Sequence, residues 1–230
     1  MRSIGLLGGM SWESTAEYYR VGNEMVRDRL GGLNSAQILL DSLNFADIAE
    51  LQRADEWAAA GRVLAEHARG LERAGADMIL ICTNTMHLLY NEVQAAVTVP
   101  VIHIADAAAD AVRQRGLRTV ALLGTAFTME KAFYRDRIEQ HGLSVLVPDA
   151  ADRATVHHAI FAELALGVVR EETRAAFQAI IGRLVAAGAE GVILGCTEIE
   201  LLVRQEDSPV PVFPTARIHM ETATELALAE

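Results

Sequence analysis

Cysteine, proline and tryptophan are scarce in this chain: two, five and two among 230 residues. Two cysteines, Cys82 and Cys196, cannot build a disulfide framework for a protein of this size. No Cys or His cluster has ligand spacing, so no metal site is expected. The one adjacent histidine pair, His157 and His158, would point about 100° apart on a helix and chelate poorly. No apolar run approaches membrane-spanning length. A basic stripe is missing too. The net charge of −11 argues against a nucleic-acid surface and against anionic membranes. Met1-Arg2-Ser3 leads into a short Gly-broken apolar run and then Glu13, which is not a signal-peptide pattern. The chain reads as a cytoplasmic α/β protein whose partner is a small molecule.

What the chain does have is a repeat. Ala74-Gly75-Ala76-Asp77-Met78-Ile79-Leu80-Ile81-Cys82-Thr83 is matched without a gap by Ala187-Gly188-Ala189-Glu190-Gly191-Val192-Ile193-Leu194-Gly195-Cys196, 113 residues on. Ile4–Gly9 resembles Val120–Thr125, and Val99–Ile102 resembles Val210–Phe213. Such self-similarity points to two copies of one supersecondary arrangement. At this offset Thr83, not Cys82, stands opposite Cys196, pairing a hydroxyl with a thiol.

Short apolar runs alternate with longer amphipathic stretches. Strands are predicted at Ile4–Gly8, Gln37–Asp41, Asp77–Cys82, Val101–His103, Thr119–Gly124, Leu143–Val147, Gly191–Gly195 and Val212–Phe213. Helices are predicted at Ser14–Leu30, Ala46–Ala74, Met86–Val97, Ala105–Gln114, Thr128–His141, Arg153–Gly167, Glu171–Ala187, Glu198–Arg204 and Ala216–Ala229. This alternation implies βαβ units and parallel sheets. The expected fold is two pseudosymmetric, doubly wound α/β domains. Residues 1–104 plus 214–230 would form the first and 105–213 the second. Loops at the C-terminal ends of the strands would build the site, in the cleft between the halves.

Cys196 follows an apolar strand and precedes a predicted helix. A helix N-terminus would lower its pKa, whereas a structural cysteine would simply be buried. Thr83, Asn84 and Thr85 follow the matching strand, either as helix caps or as a cradle for a carboxylate. Alternation along the strand turns Cys82 away from Thr83. Gly8-Gly9-Met10-Ser11 is neither a dinucleotide fingerprint nor a P-loop, so a small anion on its N–H groups is the better use. Gln52 and Glu163 read as solvent-facing helix residues on composition alone.

With those residues in view, the chain resembles the cofactor-independent aspartate/glutamate racemases. The likeness covers the Gly5-Leu6-Leu7-Gly8-Gly9-Met10-Ser11-Trp12-Glu13-Ser14 start, Asn84-Thr85-x-His87, and Gly195-Cys196-Thr197-Glu198. The start and the Cys82–His87 stretch are especially similar to enterobacterial members with broad amino-acid specificity. The resemblance implies two α/β domains, often in a homodimer, with no cofactor and no metal. It implies two opposed proton-transfer groups flanking the substrate Cα. The second falls on Cys196, and the first, a cysteine in the family, falls on Thr83. Substrate contacts carry over to Met10, Gln52, Thr83, Asn84, Thr85, Glu163, Thr197 and Glu198. Glu198, where glutamate racemases usually carry His, favours the aspartate branch.

The activity expected is racemisation of aspartate and/or glutamate by two-base proton transfer. Thr83 is a poor base, so the enzyme is expected to be asymmetric, with Cys196 as the thiolate for one enantiomer. A maleate-type isomerase or malonate decarboxylase needs one thiol only. A non-catalytic amino-acid-binding protein needs none. Arg53 is one candidate partner for a distal carboxylate.

Overall fold

The computed structural model describes residues 1–229 and divides into two compact units. The first comprises Met1–Ile104 and the segment from His219 onward; the second is Ala105–Ile218. Among the described residues no helix is long and apolar enough to cross a membrane.

The first unit runs β1 (Ile4–Gly8), α1 (Trp12–Leu30), β2 (Ile38–Ser42), α2 (Phe45–Arg53), α3 (Trp57–Arg73) and β3 (Met78–Ile81). A 3-10 turn (Thr85–Leu89), α4 (Tyr90–Ala96), β4 (Val101–Ile102) and the start of α5 (Ile104–Gln114) follow. The second unit has β5 (Thr119–Gly124), α6 (Ala126–Glu130), α7 (Ala132–Gln140), β6 (Ser144–Leu146), α8 (Ala150–Ala162) and α9 (Glu171–Ala186). It closes with β7 (Gly191–Gly195), α10 (Ile199–Leu202), β8 (Val212–Pro214) and the start of α11 (Thr215–Leu228). Each unit holds one four-stranded parallel sheet, ordered β2-β1-β3-β4 and β6-β5-β7-β8. The two orders are the same, as a duplicated unit requires.

The central strands read as unbroken apolar runs because helices cover both faces of each sheet. Leu7, Ile79 and Ile81 pack with Leu64, Ala68 and Val93 in the first unit. Ala121, Leu123, Val192 and Leu194 pack with Val156, Phe177, Ile180 and Ile181 in the second.

The duplication reaches individual side chains. Gly75 and Gly188 sit at φ +99° and +107° and end α3 and α9. In each case the glycine N–H returns to a carbonyl three residues back, and the next N–H to one five back. That is the Schellman pattern, which explains the repeated Ala-Gly-Ala. The acid after it, Asp77 or Glu190, accepts backbone N–H groups at the entry to the neighbouring strand: Ser3 at 2.6 Å, and Arg118 and Thr119 at 2.7 and 2.9 Å. Edge strands β4 and β8 are each held by one glutamine. Gln94 donates to the Val99 carbonyl (3.1 Å) and accepts from Val101 N–H (2.8 Å). Gln205 does the same with Val210 (3.1 Å) and Val212 (3.0 Å).

The predicted strands all form, within a residue or so at each end. Several predicted helices do not run through. The expected helix Ala46–Ala74 is α2 and α3, broken where Asp55 adopts φ +56°. Aspartate tolerates that left-handed conformation better than most residues, and the Trp57 indole N–H holds its carboxylate. The expected helix Thr128–His141 is α6 and α7, parted by extended backbone at Lys131. Met86–Val97 begins as a 3-10 turn, and Arg153–Gly167 ends in one. Glu198–Arg204 shrinks to the single turn α10, because Val203 is extended. From His219 onward α11 lies in the first unit, where His219 Nε2–H donates to the Ile102 carbonyl (2.8 Å).

Replacing Gln94 with alanine removes both of its bonds to the β4 segment and leaves the ladder with β3. The loss should be about 1–2 kcal/mol, read as a lower urea midpoint by circular dichroism. An unchanged midpoint would show that the ladder with β3 and packing hold the edge strand without the glutamine.

Candidate functional site

The strand registers fix which residues are equivalent at the C-terminal sheet ends. Leu7 pairs with Ile81, and Leu123 pairs with Leu194. Two residues beyond Ile81 is Thr83; two beyond Leu194 is Cys196. The ladders therefore give the same equivalence as the sequence repeat.

In the first unit, the loop after β1 lies against the loop after β2. Gly9 has φ +86°, and a Cβ there would fall 2.1 Å from the Leu43 carbonyl oxygen, so only glycine fits. The Gly9 N–H donates to Thr15 Oγ1 at 2.9 Å. The small-anion reading of this loop needs correction at that point: one of its N–H groups is already occupied within the fold. Met10 is buried in the same cluster as Ile48 and Met86. Gln52 is buried too, contrary to the solvent-facing expectation, with its amide N–H directed at Met86 Sδ (2.9 Å). It lies one turn beyond Ile48 on the apolar face of α2, and that face turns inward.

Cys82 is fully buried, its Sγ 3.7 Å from the Leu80 carbonyl oxygen, and burial drives its pKa far up. Thr83 is half-buried. Its N–H donates to the Ile81 carbonyl (2.8 Å) and its carbonyl accepts from His87 Nδ1 (2.8 Å). Asn84 and Thr85 are buried. Asn84 precedes the 3-10 turn, but its side chain makes no capping bond, so the cap reading does not hold there. The structure thus gathers Met10 with Gln52, and Thr83 with Asn84 and Thr85, around the ends of β1 and β3. His87 was visible only as part of a motif. Its place four residues after Thr83, in an otherwise apolar Met-His-Leu-Leu run, was the available signal.

In the second unit Cys196 is buried, and its Sγ–H donates to Glu198 Oε2 at 2.9 Å. Thr197 Oγ1 donates to the same oxygen, also at 2.9 Å. The expected lowering of the Cys196 pKa is overturned: burial, and then the adjacent Glu198 carboxylate, push it well above the usual thiol range. The reason is local. The helix that was to stabilise a thiolate is the four-residue α10, with too few aligned peptides for a sizeable dipole. Glu163 is not a surface helix residue. It caps the end of α8, is mostly buried, and accepts from Thr173 Oγ1 at 2.6 Å. It lines a cavity of about 440 Å³ with Thr155, His158 and Glu172. The next residue, Leu164, shares a hydrophobic cluster with Cys196 and Ile199.

A hydroxyl and a thiol thus stand at equivalent positions past the central parallel strands of the two units. The comparisons name the family. The Asp/Glu/Hydantoin racemase model matches residues 7–223, and the chain belongs to that family. Membership supports an isomerase of the racemase type acting on a small-molecule substrate. The broad-specificity amino-acid racemase RacX of Bacillus subtilis is 24% identical over 159 residues, 69% of this chain and 68% of its own. A crystal structure of a candidate Asp/Glu racemase from Yersinia pestis is 47% identical, with a TM-score of 0.94 and full coverage of both chains. One of an aspartate racemase homologue from Pyrococcus horikoshii is 38% identical, with a TM-score of 0.88 and full coverage of both.

If Glu198 helps to hold the proton on Cys196, then Glu198→Gln lowers the thiol pKa. Iodoacetamide at pH 8 should alkylate Cys196 about three- to tenfold faster in that variant, tenfold per unit of pKa, while Cys82 stays unmodified. A slower or unchanged rate would refute the role of the carboxylate.

Proposed function

We propose that this protein racemises amino acids, with aspartate and glutamate the first substrates to test, by proton transfer at Cα between Cys196 and Thr83. The observation that carries the reading is their register equivalence at the two sheet ends, in a chain of the racemase family. Racemisation removes a proton from one face of Cα and returns one to the other. A duplicated fold supplies one such polar end in each unit, and Glu198 and solvent restore the resting protonation of Cys196 and Thr83 after each turnover.

In the forward half-reaction Cys196 acts as the base. Its proton passes to Glu198, the acceptor 2.9 Å away. The substrate ammonium, drawn to Glu198 and Glu163, offsets the negative charge that disfavours the thiolate. The thiolate takes the Cα proton, and the Thr83 hydroxyl protonates the carbanion from the other side. Donors from Asn84, Thr85 and Thr197 stabilise the enolate-like carboxylate. Met10 and Gln52 shape the side-chain pocket. The reading needs no cofactor. Lys131 is the only lysine, which leaves a pyridoxal Schiff base one possible attachment point. The working form is a cytoplasmic homodimer. The broad specificity named for RacX extends the substrate panel to uncharged amino acids.

The test is NMR of Cα–H exchange in D2O with separate L- and D-enantiomers. Cys196→Ala should lose exchange by about 10²–10⁴-fold, the usual worth of a general base. Thr83→Ala should keep deuteron wash-in for one enantiomer and lose inversion. Full exchange and inversion in Cys196→Ala would overturn the assignment. Loss of carbon dioxide or a cis–trans product would instead indicate a decarboxylase or isomerase.

A further inference from the structure

The two copies of the fold diverge at one layer beneath their equivalent ends. In the first unit this layer holds His87, which is buried in the 3-10 turn. Its Nε2 lies 3.2 Å from the Ile104 backbone nitrogen, whose N–H must be the donor. Its Nδ1 therefore carries the proton and donates to the Thr83 carbonyl at 2.8 Å. The ring is a neutral strut tying the end of β3 to the end of β4. His103 packs against it at 4.6 Å between ring centroids, and His219 meets its edge at 5.7 Å. His219 is itself fixed by Tyr18 Oη at 2.9 Å and the Ile102 carbonyl at 2.8 Å.

In the second unit the sequence position matching His87 is Glu200, and the one matching Ile104 is Thr215. Thr215 Oγ1 donates instead to the Leu194 carbonyl at 2.7 Å, and the Cys196 carbonyl accepts the Ile199 N–H at 3.1 Å. The imidazole strut thus exists only on the hydroxyl side. With both main-chain polar groups of Thr83 engaged, only χ1 remains to place the hydroxyl, and a β-branched residue is stiff there. A hydroxyl is the weaker proton-transfer group and tolerates misplacement least.

We propose that His87 is a positioning residue that sets the Thr83 hydroxyl for proton delivery. The proposal rests on the reading of Thr83 as the opposed acid, and the experiment separates the two. Deuteron wash-in needs only Cys196, whereas inversion also needs Thr83, so inversion per deuteron incorporated reports the Thr83 side alone. A merely structural loss would lower both together.

The variants are His87→Asn, His87→Gln and Thr83→Ala. Asparagine keeps an N–H near the Nδ1 position, while glutamine keeps an acceptor near Nε2 and loses the bond to Thr83. In His87→Gln the ratio should fall roughly tenfold or more, since a small misplacement of a reacting group can cost on the order of 10²-fold. KM should stay near wild type. In His87→Asn the ratio should stay within about threefold of wild type, a bound drawn from the same sensitivity to placement. A wild-type ratio in His87→Gln, or an equal fall in both variants, overturns the proposal. Wild-type inversion in Thr83→Ala overturns the underlying reading instead, whatever the histidine variants do. Should the histidine variants fail to fold, imidazole 15N NMR of the wild-type protein decides: Nδ1–H on His87 supports the strut, and Nε2–H overturns it.

Discussion

A parallel strand buried on both faces must leave its polar chemistry at its ends, and the rest of this structure follows from that constraint. β3 and β7 offer no solvated face along their length: every residue from Met78 to Ile81 and from Gly191 to Gly195 is buried. The first positions free to carry a working polar group lie just past the last ladder bond. Those positions are Thr83 in one unit and Cys196 in the other. The repeated Gly-Ala-acid entry and the glutamine-held edge strand fix where each strand begins and which neighbours it keeps. Register at one end thereby determines which residue emerges at the other.

Burial that serves the fold works against the thiolate. Cys196 loses hydration and faces a carboxylate, and both effects keep its proton on. A group held above its ordinary pKa is quiet in the free protein and becomes a strong base once the charge balance is altered. A zwitterion brings such a change in its ammonium group. Under the proposed function, the same Glu198 that holds the thiol proton in the resting state accepts it during turnover. Cys82 has no such partner. Among the described residues its sulfur meets a carbonyl oxygen, which gives a thiolate nothing in exchange for its lost hydration.

Much of this was legible in the sequence because it rests on periodicity and repetition. Eight apolar runs became eight strands, and the gapless match from Ala74 to Thr83 gave the same register as the ladders. Local breaks were not legible. No glycine or proline marks the turn at Asp55 or the extended backbone at Lys131, since tertiary packing rather than intrinsic propensity sets them. The helix expected over Glu198–Arg204 is the single turn α10, and the Cys196 pKa rises rather than falls because the thiol is buried beside the Glu198 carboxylate. Gln52 is buried where a solvent-facing position is expected, because composition says nothing about which face of α2 turns inward. The roles of His87 and Ile104 depend on two segments 17 residues apart meeting at adjacent strand ends, and no local pattern encodes that meeting.

Under the proposed function, pairing a hydroxyl with a thiol is workable only if the two do unequal work. An alcohol is a far weaker acid than a thiol, so the two conjugate bases differ widely in stability even with the Cys196 thiol pushed up by burial and Glu198. Racemisation has an equilibrium constant of one, so this gap cannot favour one enantiomer over the other at equilibrium. It must appear in the barriers and in the resting protonation states. The Thr83 hydroxyl is protonated and ready to donate; Cys196 reaches its basic form only when the bound substrate offsets the burial and the Glu198 charge that hold its proton on. Delivery to a carbanion suits a weak acid, because the carbanion is a far stronger base. The costly step is the alkoxide that delivery leaves behind, which has to be reprotonated by solvent before the next cycle. A stiff β-branched side chain on a pinned backbone meets that demand better than a mobile one, since it keeps the oxygen where both the carbanion and a replacement proton can reach it.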